Sequence, residues 1–330
     1  MIDYIYLRVT DRCNLHCKHC TLSEHRGNSF VDINSVTQFL HKLIGNGTGC
    51  SIAFHGGEPT LYPLNVLENF CCEFPYATFI MASNMIWSSP TEVISFVKKY
   101  CIDKETHVPC IKASYDFGNI RFQSTKERQT CLSNIKLCTD NNIAVQLGVP
   151  VTNELVSIPV QDIVRFLNSF HIDSLRLDML RPQQIIDQTI VPSYSQVDKW
   201  LCQLYKYKNQ IHVLLFEELI DAALYGHHES CRTRQCMSTT LTINVDGTFG
   251  GCVNNAHVCP YGSVETGTTD YELLQRLILE EQIRNEKCYL CDLFHMCNGW
   301  CYQIPWINNT CPAPKQLMRH IKEEYRKWNV

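Results

Sequence analysis

Three cysteines near the start of the chain carry the clearest chemical signal in the sequence. Cys13, Cys17 and Cys20 have the spacing C-x3-C-x2-C. Three thiolates on one short loop can bind three irons of a [4Fe–4S] cube and leave the fourth iron open to a small molecule. A zinc loop is the alternative, but zinc sites usually close at four ligands and no second cysteine pair lies nearby. The spacing therefore favours a cluster with one open iron.

A second group of cysteines lies in the last third of the chain. Its members are Cys231, Cys236, Cys252, Cys288, Cys291, Cys297, Cys301 and Cys311. The block C-x2-C-x5-C-x3-C within it has a chance expectation of about 0.004 in a chain of this composition. Eight thiols exceed the four ligands of one tetrahedral zinc, which leaves two structural zincs as the alternative to iron–sulfur clusters.

The segments around the first cysteine loop alternate between strand-like and helix-like patterns. The run Tyr4–Val9 leads directly into the loop, and apolar residues at helical spacing follow over 33–44. Further strands are expected at 51–54, 78–82, 110–116, 144–151 and 174–180, and further helices at 92–100, 130–141 and 160–170. This alternation predicts a parallel sheet with ligands at the carboxyl ends of the strands. Six such units, against the eight of a closed barrel, predict an opening at the side.

Composition narrows the class of protein. The chain has 330 residues, 45% apolar and 19% charged, with a net charge of −4. These values predict a folded enzyme-sized chain and argue against a dedicated nucleic-acid binder, which is usually basic. No 18-residue apolar stretch and no signal peptide is present, so the sequence predicts a cytoplasmic protein with no membrane partner. In a reducing compartment, 20 cysteines favour metal binding over disulfides.

At its first cysteine loop the chain resembles the radical S-adenosylmethionine (SAM) enzymes. Their signature is this loop after the first strand of a partial TIM-type barrel, often with a His or an aromatic residue before the last cysteine, here His19. The resemblance implies an α/β fold with a partial (βα)6 barrel. It also implies that SAM binds the open iron and is cleaved to a 5′-deoxyadenosyl radical that abstracts hydrogen from the substrate.

The same resemblance implies a SAM-binding site. Gly56, Gly57 and Glu58 match the family's GGEP motif, whose backbone and Glu contact the SAM amino group. Asn84 and Ser114 follow later strands and are further candidate SAM contacts. The residue after Asn84 is a methionine where relatives typically carry glycine, so the chain departs from the family pattern there.

Several other residues are given structural interpretations. Arg121 is expected to be a solvated loop arginine; the alternative, implied by the resemblance, is an arginine near the SAM carboxylate. Arg176 with Asp178 is expected to be an ordinary salt-bridged pair, with a place in the cavity as the alternative. The cysteines outside the two groups are expected to be small buried apolar residues; they are Cys50, Cys71, Cys72, Cys101, Cys110, Cys131, Cys138, Cys202 and Cys259. No side chain stands out as the catalytic acid or base.

The second cysteine group resembles the SPASM extension of one radical SAM subgroup. The resemblance implies two auxiliary [4Fe–4S] clusters, hence three in all. Cys231, Cys236, Cys252 and Cys301 are expected to bind the first auxiliary cluster. Cys288, Cys291, Cys297 and Cys311 are expected to bind the second. The predicted division is a barrel over 1–185, a helical linker over 186–230 and a small Cys-rich SPASM domain over 231–330.

Enzymes with SPASM domains mostly modify peptides, so the resemblance implies hydrogen abstraction from a ribosomally made precursor peptide that forms an intramolecular crosslink. A radical dehydrogenase or epimerase of a sugar-like metabolite is the alternative. Peptide oxidation of the sulfatase-maturase type is disfavoured by Val253, which stands where that group carries Asp. An electron-carrying scaffold is the non-enzymatic alternative. The expected partners are a flavodoxin- or ferredoxin-type electron donor and, because only 12 residues precede Cys13, a separate leader-binding protein or none.

Overall fold

A computed structural model describes residues 2–22, 26–181 and 187–326. The strands are β1 Tyr4–Thr10, β2 Ser51–Gly56, β3 Thr78–Ser83, β4 Cys110–Ser114, β5 Ala144–Val151, β6 Ser174–Met179, β7 Thr240–Ile243, β8 Thr248–Gly250, β9 Gly262–Ser263 and β10 Thr268–Thr269. The helices are α1 Ile33–Ile44, α2 Leu64–Glu73, α3 Pro90–Tyr100, α4 Thr125–Asp140, α5 Asn153–Ser157, α6 Val160–Ser169, α7 Tyr194–Tyr205, α8 Leu214–Tyr225, α9 Cys236–Thr239, α10 Tyr271–Gln282, α11 Glu286–Tyr289, α12 Phe294–Cys297 and α13 Lys315–Tyr325. Within these ranges no helix is both long enough and apolar enough to cross a membrane.

All ten of these strands form one sheet, in the order β10-β9-β8-β7-β1-β2-β3-β4-β5-β6. Strands β1 to β6 are parallel neighbours in chain order, and helices connect each to the next. Strands β6 and β10 are the two edges of the sheet in the described part of the chain. The predicted α/β fold with an open parallel sheet of six β/α units is therefore confirmed.

The two faces of the parallel sheet differ in burial. Ile5 and Leu7 of β1 are fully buried in the core that the sheet shares with the helices, and Val145 and Leu147 of β5 are buried with them. The alternate residues in the first part of each strand are only partly buried, namely Tyr4 and Tyr6 of β1 and Ala144, Gln146 and Gly148 of β5. Because successive side chains of a strand point to opposite faces, the second face of the sheet lines an interior that solvent can reach.

Strand β1 also connects the two cysteine groups. It pairs in parallel with β2 on one side and with β7 on the other, where Tyr4 lies opposite Thr240 and Leu7 opposite Ile243. The segment with the second cysteine group thus extends the barrel sheet directly. The predicted boundary between the barrel and the linker, at 185 and 186, lies outside the described residues, and the three-part division stays a prediction.

Helix α13 packs against α7 and α8, and a buried carboxylate of α7 caps its N-terminus. The Asp198 side chain of α7 is 6% exposed and accepts hydrogen bonds from the backbone N–H groups of Gln316 at 2.8 Å and Leu317 at 3.1 Å. The first N–H groups of a helix lack partners within the helix, so a carboxylate there satisfies two donors and interacts favourably with the helix dipole.

We predict that Asp198→Ala lowers the free energy of unfolding by about 1–2 kcal/mol, the usual cost of removing a helix cap. Chemical denaturation of the metal-free protein measures this loss. Asp162→Ala is the matched control, because Asp162 is half exposed and pairs only with Arg165 one turn along the same helix, at 3.0 Å. Equal stability of the two variants would contradict the capping role.

Candidate active site

The first cysteine loop lies at the carboxyl end of β1. The side chains of Cys13, Cys17 and Cys20 are all partly buried there, and the Cys20 N–H donates to the Cys17 carbonyl at 3.2 Å. Burial raises the pKa of the Cys13 and Cys17 thiols, while the positive charge of Arg121 opposes that rise at Cys17. Burial thus favours the neutral thiols of Cys13 and Cys17, and a bound metal ion would favour their thiolates.

Gly56 and Gly57 allow the end of β2 to cross this loop in close contact. The Gly57 N–H donates to the Thr10 carbonyl at 2.7 Å, and the Glu58 N–H donates to the Arg12 carbonyl at 2.7 Å. A Cβ atom on Gly57 would lie 2.0 Å from the Arg12 oxygen, and one on Gly56 would lie 2.2 Å from the Thr10 oxygen. Gly56 also has a φ of +127°, which other residues rarely adopt. The two glycines are a steric requirement of the loop.

Glu58 joins the ends of β2 and β3. Its side chain is 1% exposed, and one carboxylate oxygen accepts from the hydroxyls of Thr60 at 2.7 Å and Ser83 at 2.8 Å. The other oxygen accepts from the Asn84 N–H at 2.7 Å. Burial raises the pKa of Glu58, and these hydrogen bonds oppose the rise. The structure thus gives Glu58 an internal structural role, and its predicted contact with the SAM amino group stays a prediction.

Asn84 contacts the cysteine loop from the end of β3. Its side-chain N–H group donates to Asn14 Oδ1 at 2.7 Å and lies 3.9 Å from Cys13 Sγ. The following residue, Met85, has a φ of +64°, in the region that glycine adopts freely, and its side chain is fully buried. The chain thus keeps the backbone turn of the family with a methionine in it, and the apolar side chain gains burial that offsets the strain.

The loop after β4 brings a cation to the cluster cysteines. Arg121 Nη1 lies 3.8 Å from Cys17 Sγ, and Arg121 Nη2 lies 3.3 Å from His19 Nε2. The expectation of a solvated loop arginine is therefore wrong. Asp116 holds Arg121 in this position. Its side chain is fully buried and accepts hydrogen bonds from the N–H groups of Ile120 and Arg121 at 3.0 and 3.3 Å, which fixes the loop.

Ser114 lies at the carboxyl end of β4, opposite Gly148 of β5. Its hydroxyl makes no hydrogen bond within the described ranges, and its side chain is partly exposed toward the interior. Its predicted contact with SAM stays a prediction, as does that of Asn84.

Four of the second-group cysteines form a first cluster of thiols beside the barrel. Cys231 is within hydrogen-bonding reach of Cys236 and Cys301, and Cys252 interacts electrostatically with Cys231 and Cys301. The Cys236 contact and burial raise the pKa of Cys231 to about 12. Glu281, which is 1% exposed, accepts from the Cys236 N–H at 2.9 Å and fixes this segment. No sequence pattern had singled out Glu281.

The other four cysteines line one cavity. Cys288, Cys291, Cys297 and Cys311 surround it together with Trp306 and residues of the adjoining segments. Their thiols interact electrostatically with one another, and burial raises the pKa of Cys297 to about 12. The structure therefore brings together both predicted sets of four.

The three sets of cysteines suit iron–sulfur cubes, since one set offers three thiols and the other two offer four each. No set of three or more His, Cys, Asp or Glu side chains in the described ranges is placed to hold a single metal ion. Each thiolate of a cube binds a different iron, so cluster ligands surround a volume, as the last four cysteines do here. None of the 20 cysteines forms a disulfide. Of the nine others, five are buried as predicted, but Cys72 is exposed, contrary to the prediction.

The chain is similar to known proteins both in sequence and in fold. No family model matches the chain. The radical SAM cyclopropyl synthase TigE of Paramaledivibacter caminithermalis is 20% identical over 330 aligned residues, which cover 91% of this chain and 68% of TigE. An uncharacterized protein of Methanocaldococcus jannaschii is 23% identical over 223 residues, 63% of this chain and 74% of that protein.

The structure of anSMEcpe with bound AdoMet and Cp18Cys peptide has a TM-score of 0.79 and 16% identity, covering 98% of this chain and 96% of anSMEcpe. Streptococcus suis SuiB bound to the precursor peptide SuiA has a TM-score of 0.66 and 16% identity, covering 92% and 72%. In sequence the chain is similar to TigE, which is named a radical SAM enzyme, and its fold is that of anSMEcpe and SuiB. These similarities agree with the resemblance seen in the two cysteine groups.

We predict that Gly57→Ala displaces the radical SAM cysteine loop, because its Cβ would overlap the Arg12 carbonyl oxygen at 2.0 Å. Anaerobically reconstituted protein should then hold about four irons fewer, one cube's worth, and lose SAM binding. Gly267→Ala is the control: Gly267 has a φ of +64° but no atom within 4 Å of an added Cβ. It should keep all its iron, and equal iron loss in both variants would count against the steric role.

Proposed function

We propose that this chain is a cytoplasmic radical SAM/SPASM enzyme that removes hydrogen from a ribosomally made peptide and forms an intramolecular crosslink. The observation that carries the proposal is that β1 joins the two cysteine groups. Its carboxyl end leads into the loop of Cys13, Cys17 and Cys20, and its buried Arg8 donates to Asn244 Oδ1 at 2.8 Å and to the carbonyl of Val253, the residue after Cys252. A substrate bound beside this end of β1 would have both groups near it.

The relatives support the peptide class and the type of bond. Structures of anSMEcpe and SuiB are described with a bound peptide and a bound precursor peptide, respectively. TigE is named a cyclopropyl synthase, and closing a cyclopropyl ring makes a carbon–carbon bond within one molecule. In the described part of the chain β6 and β10 do not pair, so the sheet is not a closed barrel, which is compatible with a substrate as large as a peptide.

The residues present fit the expected cofactors. Cys13, Cys17 and Cys20 would hold the SAM-binding cube, and the two sets of four second-group cysteines would hold two auxiliary cubes. When bound, the first cube with SAM supplies the 5′-deoxyadenosyl radical that abstracts hydrogen. Asn84 and Arg121 place N–H donors near the sulfur atoms of Cys13 and Cys17, and such hydrogen bonds adjust the reduction potential of a cluster. A flavodoxin- or ferredoxin-type protein would supply the electron.

Iron content tests the ligand sets. We expect reconstituted protein to hold about twelve irons and twelve sulfides, four per cube. Replacing Cys13, Cys17 and Cys20 together with Ala should leave about eight irons and abolish SAM cleavage. A wild-type preparation with roughly four irons and two zincs would instead assign the second cysteine group to zinc.

Peptide modification tests the reaction. We expect that co-expression with a short peptide encoded beside this gene yields a peptide lighter by two hydrogen atoms per crosslink, detected by mass spectrometry. The Cys17→Ala protein is the control and should leave the mass unchanged. An unchanged mass with one inverted stereocentre would indicate epimerisation, and neighbouring sugar-nucleotide enzymes with no modified peptide would favour the metabolite alternative.

A further inference from the structure

The interior face of the barrel carries charged side chains where a packed core would carry apolar ones. Lys112 lies on β4, and Arg176 and Asp178 lie on β6, all at positions that alternate with core residues. Their side chains remain reachable by solvent: Arg176 is 43% and Asp178 47% exposed. Gly148 on the intervening β5 leaves room for the pair, since an added Cβ would lie 3.3 Å from the Asp178 carboxylate. The interior is thus an open, polar cavity.

These groups face one common space. Lys112 Nζ donates to the Tyr4 hydroxyl at 3.1 Å, so a side chain from β4 reaches one from β1 across the barrel. His55 of β2 contacts Tyr6 edge to face, with ring centroids 5.8 Å apart. Burial and the positive charges of Arg8, Arg176 and Lys112 lower the pKa of His55 to about 3, so it is neutral. His55 therefore adds no charge of its own.

Three other cations of the interior lie near groups that are anionic or that would become so when a cluster binds. Arg176 pairs with Asp178 at 3.0 Å. Arg8 and Arg181 interact electrostatically with Cys252, a predicted cluster ligand, and Arg8 also with Cys20. Anionic clusters bound to those thiolates would be the counter-charge of both arginines.

Lys112 is the exception. Its partners in the described part of the chain are the hydroxyl and the ring of Tyr4, and no carboxylate there pairs with it. A cation in a partly enclosed cavity gains stability from an anion that enters with the ligand, because hydrogen bonds between charged groups are stronger than neutral ones.

We propose that the substrate places one carboxylate on Lys112, at the floor of the barrel interior beside Tyr4, and that this contact sets the depth at which the peptide binds. The inference rests on the proposed function, since a peptide is what brings the carboxylate. The carboxylate comes from an Asp or Glu side chain or from a free C-terminus. Lys112 is a binding residue in this assignment and takes no part in bond making.

Binding of small blocked probes to reconstituted protein with SAM tests the proposal, measured by saturation-transfer NMR. The probes are N-acetyl-glutamate methylamide and its glutamine counterpart, and N-acetyl-Gly-Ala with a free or an amidated C-terminus. We expect one carboxylate probe to bind wild type roughly tenfold or more tightly than its neutral counterpart. The glutamate pair reports a side-chain carboxylate, and the Gly-Ala pair reports a terminal one.

The variant Lys112→Met keeps the aliphatic length and removes the charge, and it should abolish that preference. Lys136→Met is the matched control: it removes the same charge from the outside of the barrel, where Lys136 is 64% exposed, and should keep the preference. Equal binding of acid and amide by wild type, or no binding of any probe, overturns the proposal, as does a preference that survives Lys112→Met. A peptide found to be modified without any carboxylate dependence would leave the proposed function standing and refute only this inference.

Discussion

A single buried arginine links the segments that carry the two cysteine groups. Arg8 is 4% exposed, and its guanidinium donates to Asn244 Oδ1 at 2.8 Å and to the Val253 carbonyl. Burial lowers its pKa to about 10, opposed by the neighbouring Cys252 and Cys20 thiols, so the group stays protonated at neutral pH. A buried cation requires partners, and each of these lies on a segment that carries cysteines.

The position of Arg8 on β1 makes this link possible. Strand β1 is an inner strand paired on both sides, with β2, which ends in Gly56, and with β7, which precedes Cys252. Its carboxyl end leads into the first cysteine loop. Any shift of β1 would therefore move that loop relative to the segment around Cys252. Placement of reacting groups matters because a small displacement lowers the rate of a reaction between them.

Local patterns predicted much of the barrel. The strand expected over 144–151 is β5 residue for residue, because its β-branched residues alternate with partly buried ones. Helices α2, α10 and α13 were not predicted. Helix α2 begins at Leu64 after a proline without a side-chain cap. Helix α13 buries Leu317, Met318 and Ile321 at helical spacing, a pattern that the sequence does carry and that was overlooked.

The site was predictable where a motif names its residues and not where the fold brings distant residues together. The two cysteine groups were predicted from their spacing, and the Gly-Gly pair from the resemblance to a family motif. The contact of Arg8 with Asn244 joins residues 236 positions apart, and that of Arg121 with Cys17 joins residues 104 apart. No local pattern encodes such contacts. The Met85 turn illustrates the same limit, since a methionine in sequence predicts no left-handed backbone.

The parallel topology of the sheet explains why three neighbouring loops contact the first cysteine loop. In a parallel sheet all carboxyl ends lie at one edge, so the loops after neighbouring strands meet there. In the loop after β2, the Glu58 N–H donates to the Arg12 carbonyl. In the loop after β3, Asn84 contacts Cys13, and in the loop after β4, Arg121 contacts Cys17. Three successive loops thus contact one cysteine loop, each with an N–H donor. Donors aimed at the sulfur atoms stabilise negative charge there, so these contacts favour the thiolate form of the loop that binds a metal.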